Sequence, residues 1–280
     1  MRIIKVLNVK NFSKSYGEKE VIHDISFSIN QKDMFAILGV NGAGKTTLLE
    51  SIEGLRPFNK GSVEFVNNEL FGVQLQSSTL PENIKVSEII KLLCVWNKNK
   101  NYDKYIKLFD LENIKNQIYK TLSTGQKRKL HLVLALINES DVLFLDEPTA
   151  GLDVEARAEF HGLLRELNRE GKTIIFSSHD MGEVESLCNQ MIFLKDGKIR
   201  FSGSIEEFKR SVKRSVKRSF KVSIKTIESD EYENYELEDL TNELFNLISK
   251  YKEKGMQIDD LKILQPSLEE VFLTFAEEEN

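Results

Sequence analysis

The chain has 280 residues, 40% hydrophobic and 30% charged, enough for two domains or for one large domain with an appendage around a real core. A formal net charge of −5 gives no global reason to expect a nucleic-acid partner, and no run of about 18 apolar residues is present to cross a membrane. Residues 1–7 alternate and carry charge, unlike a signal peptide, and Cys94 and Cys188 lack metal-ligand spacing and fit buried thiols of a reducing compartment, so a cytosolic protein is expected.

Residues 3–9 and 21–29 place apolar and β-branched side chains near period two and read as strands. Residues 34–38 form a short, wholly apolar strand that runs into Gly39-Val40-Asn41-Gly42-Ala43-Gly44-Lys45-Thr46, a fit to G-x-x-x-x-G-K-[ST]. A helical pattern begins at Lys45 (Leu48, Leu49, Ile52) and ends near Gly54 and Pro57. Strand-like segments at 62–66 and 70–75 follow. From 83 to 120, Ile89, Leu92, Leu93, Trp96, Tyr105, Leu108 and Leu111 recur at helical spacing with no intervening strand, a helical insertion.

Leu122-Ser123-Thr124-Gly125-Gln126 then precedes a helix whose apolar positions are Leu130, Val133, Leu134 and Ile137. Residues 142–145 and 173–177 read as buried strands, with a helix over 157–169 between them. This alternation argues a parallel α/β sheet covered on both faces. Residues 191–194 and 198–201, joined through Asp196-Gly197, read as a hairpin.

Past Ile205 the character changes. Residues 209–220 repeat as KRSV, KRSV, KRSF, and Phe208, Val212, Val216 and Phe220, four apart, make an apolar stripe on a helix beside a basic face. Residues 220–225 then alternate like a half-exposed strand. An acidic stretch (228–239), a helix near 240–253, a strand near 258–264 and a helix from Ser267 complete the chain; Ser267 and Glu270 have capping-box spacing. Residues 206–280 read as a small α+β appendage to a domain over 1–205.

The glycine loop carries the first chemistry. A tight turn rich in glycine offers successive backbone N–H groups to a polyphosphate, and the helix starting at Lys45 adds its positive end. Lys45 is expected to reach the β- and γ-phosphates, and the Thr46 hydroxyl to ligate Mg²⁺. Asp146 and Glu147 end an apolar strand, and ligands of open parallel sheets sit at such ends. Asp146 is then the second magnesium anchor, and Glu147 is placed to orient or deprotonate the attacking water. His179, in Ser177-Ser178-His179-Asp180, ends another strand of the same sheet edge and is expected to contact the γ-phosphate. Gln76, ending the strand over 71–75, has an amide suited to magnesium or water. Ser123 and Gln126 have S-x-x-Q spacing. Lys127, Arg128 and Lys129 sit badly at a helix N-terminus, a tension that favours an anionic ligand there.

With these motifs in order, the chain resembles the nucleotide-binding subunits of ATP-binding-cassette (ABC) transporters over about residues 3–205. The resemblance implies a P-loop NTPase cassette of α/β class, a mixed sheet core with an antiparallel β subdomain and a helical subdomain at about 77–130, followed by the α+β extension. Residues 39–46 look like Walker A, Gln76 like the Q-loop glutamine, residues 122–126 like the signature, and 142–146 with Glu147 like Walker B and its catalytic glutamate. Ala150-Gly151-Leu152-Asp153 resembles the D-loop and His179 the switch histidine, while Tyr16 matches the aromatic that stacks on adenine. The resemblance implies ATP and Mg²⁺ as ligands, with Glu147, His179 and Lys45 catalytic and Thr46, Gln76 and Asp146 around the metal. Nucleotide contacts are expected from Tyr16, Gly39, Asn41, Gly42, Ala43, Gly44, Lys45, Thr46, Thr47, Gln76, Ser123, Gly125, Gln126 and Asp153. Thr124 replaces the usual first signature glycine, and Val40 stands where proline is common. Neither change removes a phosphate-contacting group.

In this family two cassettes pair head to tail, each ATP lying between one Walker A and the other signature. The implied partners are a second cassette, in a homodimer, and transmembrane permease subunits, with the chain peripheral on the inner face of the cell membrane. The segment 77–120 and the Q-loop rim are the implied contacts to those subunits, with Leu80, Trp96 or neighbours as candidate exposed apolar contacts; for Trp96, core packing is the default expectation. The tail, Gln265-Pro266-Ser267-Leu268-Glu269-Glu270-Val271-Phe272, looks like that of exporter-type cassettes, and the basic tetrads read as a solvated connecting helix, with anionic lipid as the alternative. A soluble ABC ATPase acting on ribosomes or DNA is the competing reading, but the chain has neither a second cassette nor an inserted long coiled coil. A sensor that binds without turnover is disfavoured by Glu147 and His179.

Overall fold

The computed structural model describes residues 4–66, 70–74, 80–99, 101–215, 220–227, 229 and 231–264, the side chains of 212–215 excepted. The chain divides into two compact units, Met1–Ile205 and Glu206–Asn280.

In the first unit, β1 (Lys5–Tyr16) and β2 (Lys19–Asn30) form an antiparallel hairpin that β4 (Lys60–Phe65) joins in the order β2-β1-β4. The second sheet is built on β3 (Met34–Leu38), β5 (Phe71–Gln74), β6 (Val142–Asp146), β7 (Thr173–Ser178), β8 (Gln190–Lys195) and β9 (Lys198–Ser204), in the order β5-β6-β7-β3-β8-β9. All its pairings are parallel except β8 with β9. β3, β6 and β7 are buried along their whole length, which is why their sequences run apolar instead of alternating.

A hydrophobic core joins the two sheets through α1 (Lys45–Ile52): Leu7, Phe12, Ile22 and Ile29 cluster with Leu48, Leu49 and Ile52 and with Ile37, Phe144 and Ile175. Phe71 stacks on Phe65 (5.2 Å) and meets Phe144 edge-on (5.6 Å). Gly72 of β5 lies so close to the helix over Thr124–Leu136 that a Cβ would stand 1.9 Å from the Ala135 carbonyl oxygen.

The expected helical insertion is α2 (Val86–Trp96), α3 (Tyr102–Leu108) and two 3₁₀ turns, followed by α4 (Thr124–Leu136). Tyr105 and Asn99 fasten the insertion to α4 through the Leu136 (3.1 Å) and Ile137 (2.6 Å) carbonyls. α2 buries Val86, Ile89, Ile90 and Cys94. Trp96 does not pack in the core as expected; it is 81% exposed, beside exposed Val95 and Leu92, at the last position of α2, past Cys94, the last residue that the helix buries. α5 (Val154–Arg169) starts three residues earlier than its apolar pattern, where the Asp153 side chain caps it. A short α6 (Met181–Leu187), capped by Asp180, follows β7. Both cysteines are free, Cys94 buried and Cys188 only partly so.

In the second unit, α7 (Ile205–Ser215) carries the first tetrads, while β10 (Phe220–Thr226), β11 (Tyr232–Leu237) and β12 (Ile258–Leu264) form an antiparallel sheet in the order β11-β10-β12. Leu240, Leu244, Leu247 and Tyr251 of α8 (Leu240–Glu253) pack on Val222, Ile224 and Leu237. Phe220 opens β10 and so does not extend the helical stripe. The acidic stretch contains β11, an edge strand whose charges blur the alternation and suit an exposed edge. Val216, the Ser267 helix, its cap and the tail at 265–272 lie outside the described residues. No helix among the described residues is long and apolar enough to cross a membrane.

Candidate functional site

Three neighbouring parallel strands, β6, β7 and β3, end on one edge of the sheet, and each delivers part of the site. β3 leads into the glycine loop. The Gly39 N–H donates to the Ser178 carbonyl (3.2 Å), and a Cβ on Gly39 would stand 2.5 Å from the Leu194 carbonyl oxygen. Gly42 and Gly44 adopt φ of +83° and +103°, the region that favours glycine. Asn41 is exposed and Ala43 buried. Gly44 caps α1 without a side chain, so the first N–H groups of the helix, those of Lys45, Thr46 and Thr47, have no partner within it. That is a cradle for an anion, and a Cβ at either left-handed glycine would strain it. Thr46 and Thr47 are half-buried at its rim.

Lys45 is buried and folds back over the loop. Its Nζ donates to the carbonyls of Gly39 (2.9 Å) and Val40 (3.3 Å) and lies 3.4 Å from the Glu147 carboxylate. Glu147 follows β6 with φ +44°, and the same carboxylate oxygen lies 3.4 Å from His179 Nδ1, at the end of β7. Lys45, Glu147 and His179 are thus one contiguous group. His179 is 53% exposed, so its outer side is open to a ligand.

Asp146 is buried and reaches this group through Ser177. The Ser177 hydroxyl donates to Asp146 Oδ1 and accepts the Glu147 N–H (2.9 Å). Sequence reading missed Ser177; its only signal was a serine interrupting an apolar strand just before the histidine. Glu183 of α6 was missed as well. Its buried carboxylate accepts from Thr149 Oγ1 (2.6 Å) and Ser178 Oγ (2.6 Å) and lies 3.2 Å from His161 Nε2. This ties the loop after β6, the end of β7 and α5 together beside a cavity of about 140 Å³ that Glu147 and His179 also line.

The signature segment behaves as a helix start. Gln126 N–H donates to Ser123 Oγ (3.2 Å), and Ser123 N–H to Gln126 Oε1 (2.9 Å), a reciprocal capping box. A Cβ on Gly125 would stand 3.4 Å from the Ala156 methyl and 4.0 Å from Ser123 Oγ, and the backbone there is not left-handed, so the chain's own packing does not demand glycine. The Thr124 methyl lies beside Gly151, 4.0 Å from where its Cβ would stand. The neighbouring cations have partners of their own: Lys127 sits over the Tyr119 ring (5.1 Å) and Lys129 pairs with Glu159. Their presence therefore does not itself call for an anion. Burial, and then the charges of Arg128 and Lys127, push His131 of the same helix down to about 4, leaving it a neutral partner of the Tyr119 hydroxyl (2.9 Å).

Tyr16 ends β1 half-exposed. Its hydroxyl accepts from Arg56 Nη1 (2.9 Å), and Lys14 Nζ stands 4.5 Å from the ring centroid. Asp153 is exposed and accepts the Ala156 N–H (2.8 Å). Gln76 lies outside the described residues.

Residues 22–150 match the ABC transporter family profile. An uncharacterised ABC transporter ATP-binding protein of Methanocaldococcus jannaschii is 34% identical over 212 residues, covering 74% of this chain and 80% of that protein. The Nod factor export ATP-binding protein I of Ralstonia nicotianae is 32% identical, covering 69% of this chain and 65% of that protein. Longer relatives of ATP-binding cassette sub-family A are also similar, but the chain spans only 14–15% of their length. Among solved structures, a bacterial ABC transporter cassette in dimeric form superposes with a TM-score of 0.64 at 23% identity, covering 71% of this chain and 98% of that one. The chain belongs to the ATP-binding proteins of the ABC transporter family.

Proposed function

We propose that this chain binds and hydrolyses ATP as the peripheral, cytoplasmic subunit of an exporter, with separate transmembrane subunits carrying the cargo. The observation that carries the reading is the meeting of Lys45, Glu147 and His179, at 3.4 Å contacts, beside the glycine cradle. ABC ATP-binding domains are in general ATPases that work in pairs with transmembrane subunits. The name of the Ralstonia relative supports the export direction.

In this reading Lys45 exchanges its loop carbonyls for β- and γ-phosphate oxygens, and the N–H groups opening α1 hold the remaining charge. Tyr16, its hydroxyl already fixed by Arg56, offers a ring face to adenine. Glu147 orients the attacking water and receives its proton, and His179 holds the γ-phosphate on the open side. The half-buried Thr46 hydroxyl and the buried Asp146 carboxylate are oxygen donors of the kind Mg²⁺ takes, with Gln76 as a further donor. Mg²⁺, when bound, neutralises charge on the phosphates.

Ser123, Gly125 and Gln126 serve a second cassette. The capped helix start faces the γ-phosphate held by the partner, so that ATP closes a head-to-tail homodimer and hydrolysis opens it. Gly125, which its own chain does not require, is explained by that close approach. Asp153 lies in the loop that crosses between the subunits. Residues 1–205 are the motor and 206–280 an accessory region.

Steady-state hydrolysis by the purified chain tests this reading. Mg-ATP turnover is expected in the wild type, and Glu147→Gln is expected to lose it about a hundredfold or more while retaining ATP binding. No turnover in the wild type, or full turnover in Glu147→Gln, contradicts the assignment.

A further inference from the structure

β7 lies between β6 and β3, and its parallel register with β6 sets Ser177 directly beside Asp146. The strand is apolar through Ile174, Ile175 and Phe176, and then turns polar at Ser177, which has no exposed surface. A buried hydroxyl requires partners. Ser177 finds them in the two acidic residues at the end of β6: it donates to the Asp146 carboxylate and accepts the Glu147 N–H at 2.9 Å. A serine hydroxyl has one proton and two acceptor sites, so this one oxygen serves both neighbours at once.

The backbone explains why that is needed. Continuing β6 in extended form would send the next side chain to the opposite face of the sheet. Instead Glu147 takes φ +44°, a sterically costly conformation for a residue with a Cβ. The turn places its carboxylate 3.4 Å from both Lys45 and His179. It also takes the Glu147 N–H away from an extended ladder, and the Ser177 hydroxyl receives it.

We propose that Ser177 is a positioning residue for ATP hydrolysis. Its hydroxyl fixes the rotation of the Asp146 carboxylate and locks the left-handed turn that aims Glu147. This rests on the roles proposed above for Asp146 and Glu147. Ser177 itself touches neither nucleotide nor water; it acts through those two carboxylates.

The test compares the full-length wild type, Ser177→Ala, Ser177→Thr and Glu147→Gln. In the nucleotide-free protein, NMR hydrogen exchange at the Glu147 amide is expected to speed up at least about tenfold in Ser177→Ala. With Mg-ATP, that variant is expected to lose kcat about 10- to 100-fold, with KM for ATP changed less than about twofold. Mn²⁺ affinity, read by electron paramagnetic resonance with a non-hydrolysable ATP analogue bound, is expected to fall several-fold. Ser177→Thr, which keeps the hydroxyl, restores the amide protection, and thermal melting verifies that each variant is folded. Wild-type kcat and wild-type Glu147 exchange in folded Ser177→Ala overturn the proposal. So does a raised KM with unchanged kcat, which would put Ser177 in nucleotide binding. An inactive wild type or a fully active Glu147→Gln instead overturns the parent reading, so the two failures are distinguishable.

Discussion

The Lys45 ammonium and the Glu147 carboxylate lie 3.4 Å apart with only 5% and 14% of their side chains exposed. Under the proposed function, the residue that holds phosphate and the residue that activates water neutralise each other within the chain; nucleotide would then draw Lys45 away and release Glu147 for its water.

Lys45→Ala removes the cation from both roles. It is expected to weaken ATP binding by at least about tenfold and to reduce turnover by more than about a hundredfold, because charge-assisted contacts to phosphate are lost. Equilibrium binding of a fluorescent ATP analogue, together with phosphate release, checks this. Unchanged affinity would remove Lys45 from the phosphate site.

Glu183 stands behind the site as a buried carboxylate with three partners, Thr149, Ser178 and His161. Glu183→Ala removes the acceptor that Thr149, Ser178 and His161 share and is expected to destabilise the chain by about 2–4 kcal/mol, read from urea denaturation. Glu183→Gln keeps the shape and an acceptor and should cost about half as much or less. Equal loss in the two variants would mean the network's hydrogen bonds are not what holds these elements together.

The parallel core was legible because β3, β6 and β7 are buried on both faces and therefore run apolar, and because phosphate binding imposes glycines and a lysine at fixed spacing. The capping box at Ser123 and Gln126 was legible for a similar reason, since its chemistry is local. Ser177 and Glu183 were not, because their bonds join residues 30 or more positions apart (Ser177 with Glu147 and Asp146, Glu183 with Thr149) that only strand register and loop packing bring together. β11 was hidden by the charges that keep an edge strand from pairing further. Trp96 misled because an apolar residue at helical spacing is normally a core residue, while α2 buries nothing past Cys94 and Trp96 is its last residue.

Glu53, at the end of α1, is 8% exposed and has a carboxylate oxygen without a partner. Burial first, and then the charges of Asp146 and Glu50, push its carboxyl up from 4.5 to about 7. A raised folded-state value means the folded chain holds the proton more tightly. The resulting stability is fully present below about pH 4.5 and is lost as pH rises through about 7, a swing of up to about 3 kcal/mol. Glu53→Gln, permanently neutral, should flatten this dependence and be the more stable protein at pH 8, but not at pH 5. Urea denaturation at the two pH values checks it; parallel pH profiles for the two proteins would contradict it.

Trp96 is 81% exposed on α2, the helical region that in this reading meets the membrane subunits. Trp96→Ser should alter stability by no more than about 0.5 kcal/mol and leave the basal ATPase unchanged. Co-purification with the membrane subunits should fall. A large drop in thermal stability would instead show that Trp96 packs within its own chain.

Under the proposed function each chain carries halves of two active sites, and ATP joins them. Sedimentation velocity of Glu147→Gln with and without saturating Mg-ATP tests this: a monomer is expected without nucleotide and a dimer with it, reverting when ATP is replaced by ADP. A variant that binds ATP to saturation yet still sediments as a monomer would contradict it.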